Sequence, residues 1–117
     1  MKRARFRSGE LLEADMLEDE FDGRMQRVYL DGKREAKYSA PLFGELLKAH
    51  GGLETARRFL HSPDYAPGFT KLWERQRLDL TVEAVILYEE KWHSLFTAEE
   101  IAICRKRLAD YGYKPTP

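Results

Sequence analysis

The chain has 117 residues, 43% of them hydrophobic and 34% charged. That balance fits one globular domain with apolar material for a core and excludes a chain that stays unfolded. Twenty basic and twenty acidic residues cancel, so no net field steers the protein toward nucleic acid or an anionic membrane, and such a partner would need a local patch.

Charge is unevenly spread along the chain. Residues 1–9 carry four positive and no negative charges and read as a mobile basic arm, followed by seven carboxylates and no cation over residues 10–22. The arm begins like a signal peptide, but the acidic residues behind it leave no apolar segment. No apolar run approaches the roughly 18 residues of a membrane span, and the expected location is cytoplasmic. From Leu11 to Lys37, Leu17, Phe21, Met25, Val28 and Tyr29 recur at helical steps of three and four. Gly23 and Gly32 each cost about 1 kcal/mol inside a helix, and one long helix, possible kink included, is expected. Its Met16, Phe21, Met25 and Tyr29 are a candidate partner surface of the helix-in-groove kind, self-association included. The ordinary alternative is that they cover the domain's own core.

Ser39-Ala40-Pro41 has the form of a helix start. The helix over about 41–49 places Leu42, Phe43, Leu46 and Leu47 inward, and His50-Gly51-Gly52 ends it. A third helix, Glu54 to His61, turns Ala56, Phe59 and Leu60 inward. Residues 62–68, with two prolines and a glycine, form a loop.

Phe69, Leu72 and Trp73 then sit on one face of a short fourth helix and are expected to be the hub on which the flanking helices pack. Asp79 or Thr81 caps a fifth helix through Val82–Tyr88. This helix is apolar nearly all round, so periodicity alone does not separate it from a strand; the cap and Glu83 near its start favour a central buried helix. Trp92, Leu95 and Phe96 form a bulky plug. Thr97-Ala98-Glu99-Glu100 is a capping box, opening a last helix with Ile101, Cys104, Leu108 and Tyr111 on one face and Gly112 as its stop. Residues 114–117 form a tail. The expectation is an all-α, compact single domain of five to six helices over residues 10–113.

Over residues 38–113 the chain resembles a family of small uncharacterised bacterial proteins. The resemblance rests on Gly51-Gly52-Leu53-Glu54-Thr55-Ala56, Gly68-Phe69-Thr70 with Leu72-Trp73-Glu74, Arg77–Glu83, Trp92, Leu95-Phe96-Thr97, Arg107-Leu108 and Tyr111-Gly112-Tyr113. It implies a bacterial origin and brings no activity with it.

Arg77, Asp79 and Glu83 are the densest polar set. Asp79 and Glu83 are four apart, so on one helix they would share a face as paired acids. A cap and salt-bridge clamp explains them more simply, because acids are favoured near any helix N-terminus. His50, His61 and His93 lack the spacing of a metal site. The lone Cys104 excludes an internal disulfide and a cysteine-based zinc site, and it reads as a small core residue rather than a nucleophile. No phosphate loop, dinucleotide fingerprint or nucleophile elbow is present, so no catalytic residue, cofactor or metal is expected. The helix–glycine–helix unit at residues 43–60 resembles the start of a helix-turn-helix, with Arg57, Arg58 and Arg75 as candidate phosphate contacts. The reading taken forward is a non-enzymatic domain that binds another protein or itself, with DNA binding as the alternative.

Overall fold

A computed structural model of the chain describes residues 9–37, 40–62 and 69–113. Residues 1–8 of the expected 1–9 basic arm, the cap at Ser39, most of the 62–68 loop and the 114–117 tail lie outside these residues, while Gly9, expected in the arm, opens the first helix.

Helix α1 (Gly9–Glu35) runs unbroken through both glycines, over about 40 Å at 1.5 Å per residue. The stripe outweighs the glycine penalty: Phe21, Met25 and Val28 are buried, with Leu17 and Tyr29 packed at its margins. Packing of an amphipathic face, more than intrinsic propensity, sustains such helices. Phe21 and Met25 are 0% exposed, so they belong to the domain's own core and offer nothing to a partner. Tyr29 packs on Phe43 at 6.4 Å between ring centroids. Of the four residues in that candidate surface, only Met16, 56% exposed, stands clear of the body.

Helix α2 (Pro41–His50) begins with proline in its first turn, and Ala40 at the cap makes no side-chain hydrogen bond there. Phe43 and Leu47 are buried, but Leu42 is 56% exposed, not inward. The buried stripe runs through positions 43 and 47, four apart, and Leu42 falls on its outer shoulder. One residue, Gly51 at φ 83°, separates α2 from α3 (Gly52–Leu60). Helix α3 starts two residues earlier than expected because α1 supplies its cap: the Gly52 N–H donates to Asp22 Oδ1 at 2.6 Å. A Cβ on residue 52 would lie 2.8 Å from the Asp22 Cα, so glycine is what lets the two backbones meet.

Helix α4 (Phe69–Glu74) leads to a 3-10 turn (Leu78–Leu80), α5 (Val82–Tyr88), a 3-10 helix (Glu90–Leu95) and α6 (Ala98–Asp110). Thr81, not Asp79, caps α5: its Oγ1 accepts from the Ala84 N–H at 3.1 Å and donates to the Leu78 carbonyl at 2.7 Å. Residues Val82 to Ile86 are all buried, as expected of a central helix. The capping box at Thr97 and Glu100 is present in both directions.

The largest core cluster joins α1, α2, α3, α5, α6 and the Glu90–Leu95 segment, around Phe21, Phe59, Ile86, Trp92 and Phe96. Phe21 meets Trp92 and Phe96 edge to face at 5.2 and 5.4 Å, contacts each worth about 0.5–1.5 kcal/mol beyond area burial. The plug is also tied down by polar bonds. Glu89 accepts the Trp92 indole N–H at 2.7 Å and a forked pair from Arg24 of α1. Burial alone would raise the Glu89 pKa, but these bonds hold it below its ordinary value.

Residues 69–80, expected as the hub, instead supply two satellite clusters: Phe69 and Leu78 with Ala84 and Leu108, and Leu72 and Leu80 with Ala36. Trp73 is 45% exposed. Phe69 and Leu72 take the inward positions of a helix only six residues long, which leaves Trp73 at the rim. The fold is all-α and compact, with no strand among the described residues. Among those residues no helix is long and apolar enough to cross a membrane.

Candidate binding cleft

Arg77, Asp79 and Glu83 do not form one site. Glu83, on the first turn of α5, is 0% exposed and pairs with Arg107 of α6 at 3.0 Å. Arg107 is buried as well. Its two terminal nitrogens also donate to the carbonyls of Phe59, Leu60 and Ser62 at 3.2, 3.4 and 2.9 Å. One guanidinium thus closes the C-terminal end of α3, where helical carbonyls lack partners, and neutralises the acid on α5. A buried carboxylate without such a partner would be costly, so this pair ties three helices together.

Arg77 sits on the other side of the chain, at the surface. It donates to both oxygens of Asp79 at 3.0 Å and to Glu35 at the end of α1 at 3.0 Å. The bonds from Asp79 and then Glu35 raise the Arg77 pKa further above an already high value. The clamp expected from the sequence exists, with Glu35 in place of Glu83.

Arg57, Arg58, His61 and His93 are engaged within the fold, whereas Arg75 and His50 lie at the surface. Arg57 donates to the Leu95 carbonyl at 2.6 Å and lies 3.5 Å from Glu100. Arg58 pairs with Glu54 on the same helix turn. Arg75 is exposed on the turn after α4. His61 bonds Glu100 at 2.7 Å, and His93 bonds the Leu87 carbonyl. His50 lines a cleft of about 450 Å³ with Asp19, Asp22 and Arg57. No cluster of metal-ligating side chains occurs among the described residues. Cys104 is fully buried, and burial, then the nearby Glu83 charge, push its thiol up to about 12. A thiol so held is protonated and inert.

What the sequence did not single out is a surface cleft of about 410 Å³ between the ends of α4 and α6. Both helices stop there in the same way. At α4 the Arg77 N–H bonds the Leu72 carbonyl at 2.7 Å and the Gln76 N–H bonds Trp73 at 2.9 Å. At α6 the Tyr113 N–H bonds Leu108 at 3.0 Å and the Gly112 N–H bonds Ala109 at 2.9 Å. These are paired Schellman turns, which need a left-handed residue at the position after the cap. Gly112 takes it at φ 71°, and at α4 Gln76 takes it at φ 61°, a conformation costing a non-glycine residue about 1 kcal/mol.

Aromatic rings wall the cleft. Trp73 and Tyr111 meet at 5.1 Å and 76°, with Phe69 against Tyr111 at 5.0 Å behind them. Tyr113 lines the cleft and packs on Tyr88 at 5.9 Å. Gln76 and Asp79 stand on its polar side. Burial, then the charges of Asp79 and Tyr88, raise the Tyr113 hydroxyl above its ordinary pKa. No family model, curated protein or solved structure matches this chain. The geometry of the site therefore carries the functional argument.

Proposed function

We propose that this is a non-enzymatic domain that binds another protein, and that the cleft between the ends of α4 and α6 is where it does so. The observation that carries the reading is Trp73: it is 45% exposed on a compact domain and is braced edge to face by Tyr111. Its indole N–H makes no hydrogen bond among the described residues. Tryptophan and tyrosine dominate the energetics of protein interfaces because they bury large rigid surfaces and still offer a polar atom. A volume of about 410 Å³ is of the size that takes a side chain and its neighbours.

Two features support the absence of catalysis in this reading. The paired-acid arrangement is dissolved, Glu83 being locked to Arg107 and Asp79 to Arg77. The single thiol is held protonated. The DNA alternative is weakened at Arg57, which is engaged with the Leu95 carbonyl, while Arg58, in an exposed pair with Glu54, and Arg75 stay at the surface. Helix α3 also buries Thr55, Ala56, Phe59 and Leu60 rather than presenting them to a groove. A cytoplasmic location remains part of the proposal.

The test is capture from a cell extract with the wild-type protein and the Trp73→Ser variant, whose fold is first verified by its melting curve. A bound protein lost with Trp73→Ser and kept with Arg58→Ala is the expected result. Capture indifferent to Trp73, or retention of nucleic acid alone, would overturn it.

A further inference from the structure

We infer that the cleft receives a positively charged side chain, an arginine or lysine carried on an extended segment of the partner protein. The inference rests on the protein-binding reading above and names the chemistry of its ligand.

Four features of the cleft converge on a cation. Two helices end on it, α4 with Trp73 and Gln76 and α6 with Tyr111, Gly112 and Tyr113. Helix C-termini carry partial negative charge and favour cations within a turn of their ends. Among the described residues, Asp79 is the one charged residue lining the cleft. Its partner Arg77 is shared with Glu35, so the ionic cluster behind the cleft holds two carboxylates to one guanidinium and keeps an excess negative charge. Trp73, Tyr111 and Tyr113 line the cleft, and aromatic rings attract a cation to their faces once water is displaced. A phosphate or a carboxylate would meet its own sign at each of these points.

The hydrogen-bonding groups fit the same guest. Gln76 and Tyr113 make no side-chain hydrogen bond among the described residues, and each can accept an N–H from a guanidinium or an ammonium. Gln76 is the more telling of the two. Its left-handed φ of 61° is one that glycine would adopt without strain, and Gly112 does so at the matching turn of α6. Gln76 is itself a lining residue of the cleft, so a left-handed backbone position and a polar side chain coincide there.

The lining also selects against other occupants. A purely apolar helix would bury the Gln76 amide without compensation and would leave Asp79 with Arg77 as its one partner. An extended segment with one long cationic side chain covers the rings with its methylene stem and presents its head group to Asp79.

The experiment uses the full-length, isotope-labelled protein and three short blocked peptides, Gly-Ser-X-Ser-Gly with X as Arg, Gln or Glu. Binding is read from backbone amide and indole N–H resonances. The Arg peptide should shift the Trp73 indole and the amides of residues 76, 112 and 113, and bind more weakly as salt is added. The Gln and Glu peptides should bind at least several-fold more weakly. Trp73→Ala should weaken the Arg peptide about tenfold or more, and Asp79→Asn roughly two- to fivefold. Gln76→Gly should leave the melting temperature unchanged or higher while weakening the peptide, which separates a ligand contact from a structural one.

Equal binding of the three peptides, shifts confined to other surfaces, or tighter binding by Asp79→Asn would overturn the inference. If a partner is captured in a Trp73-dependent way but the Arg peptide does not compete with it, the cation assignment fails and the protein-binding reading stands. If capture does not depend on Trp73 either, both fail.

Discussion

Arg107→Met should be among the most damaging single substitutions in this protein. The side chain removed is buried, pairs with a carboxylate that is itself 0% exposed, and caps three carbonyls at the end of α3. Removing one member of a buried ion pair typically costs about 3–5 kcal/mol, because the other charge stays in a poor solvent. The carbonyls add on the order of 1 kcal/mol, since Ser62 is only half-buried and water recovers part of that loss. A sum of about 4–6 kcal/mol is comparable to the whole stability of many small domains, so the melting temperature should fall by roughly 15 °C or more. The sign of the double substitution is the sharper result. Glu83→Leu together with Arg107→Met removes both charges and fills the space with apolar atoms, which is often close to neutral for a buried pair. The double variant should therefore be more stable than Arg107→Met alone, short of wild type by the uncapped carbonyls. Urea unfolding followed by circular dichroism, with the slope checked for constancy, measures all three. A loss below about 1 kcal/mol for Arg107→Met, or a double variant no more stable than the single one, would refute the role given to this pair.

Two glycines of opposite environment provide a second comparison. Gly52→Ala must move α1 away from a contact of 2.8 Å and should lose about 1–3 kcal/mol in the same unfolding assay. Gly23→Ala, with open space around its Cβ, should gain up to about 1 kcal/mol. At the start of α6, Thr97→Ala should cost about 1 kcal/mol, and Glu100→Gln should flatten the acid limb of stability against pH. Burial would raise the Glu100 pKa, but the Thr97 N–H, His61 and Arg57 outweigh it and hold it below 4.5. A carboxylate depressed in the fold contributes stability that is complete above its unfolded value and is lost as pH falls through the folded one. An acid limb identical in Glu100→Gln would contradict this. Cys104 should ignore a thiol reagent such as dithionitrobenzoate at pH 8 in the native state and react once urea unfolds the chain, since burial holds it protonated.

The helices were legible in the sequence wherever local chemistry decides the outcome. The α1 stripe, Pro41 at the start of α2, Thr81 and the capping box at Thr97 are each fixed by residues within one turn, and each lies where the pattern puts it. What escaped was settled between elements distant in sequence. The start of α3 at Gly52 depends on Asp22, thirty residues away. Glu83 pairs with Arg107 across twenty-four residues and not with Arg77, six residues before it. A signal for that pair existed. Glu83 stands inside an apolar segment, and Arg107 stands on the stripe of Cys104 and Leu108, so each is a charge where the pattern demands burial. Leu42, Trp73, Phe21 and Met25 show the limit of periodicity: it places residues on a face, but how far a neighbouring helix extends decides which of them is covered.

The cleft escaped for a further reason, one that also bears on what it does. A Schellman turn is visible in sequence when glycine marks it, as at Gly112; at α4 the same turn is made by Gln76 and leaves no such mark. The buried Glu83, Arg107 and Glu100 and the half-buried Glu89 are bonded to partners inside the fold and hold the helices in place. Trp73, Gln76 and Tyr113, with no side-chain hydrogen bond among the described residues, lie at the ends of α4 and α6, on a surface that the other described residues do not cover. If the cleft binds as proposed, stability and recognition occupy different residues, and substitutions should sort accordingly: Arg107→Met and Gly52→Ala through unfolding, Trp73→Ala and Gln76→Gly through binding with the fold intact. A Gln76→Gly variant that gained stability and kept full affinity for the Arg peptide would break that division, because the strain at residue 76 would then serve neither.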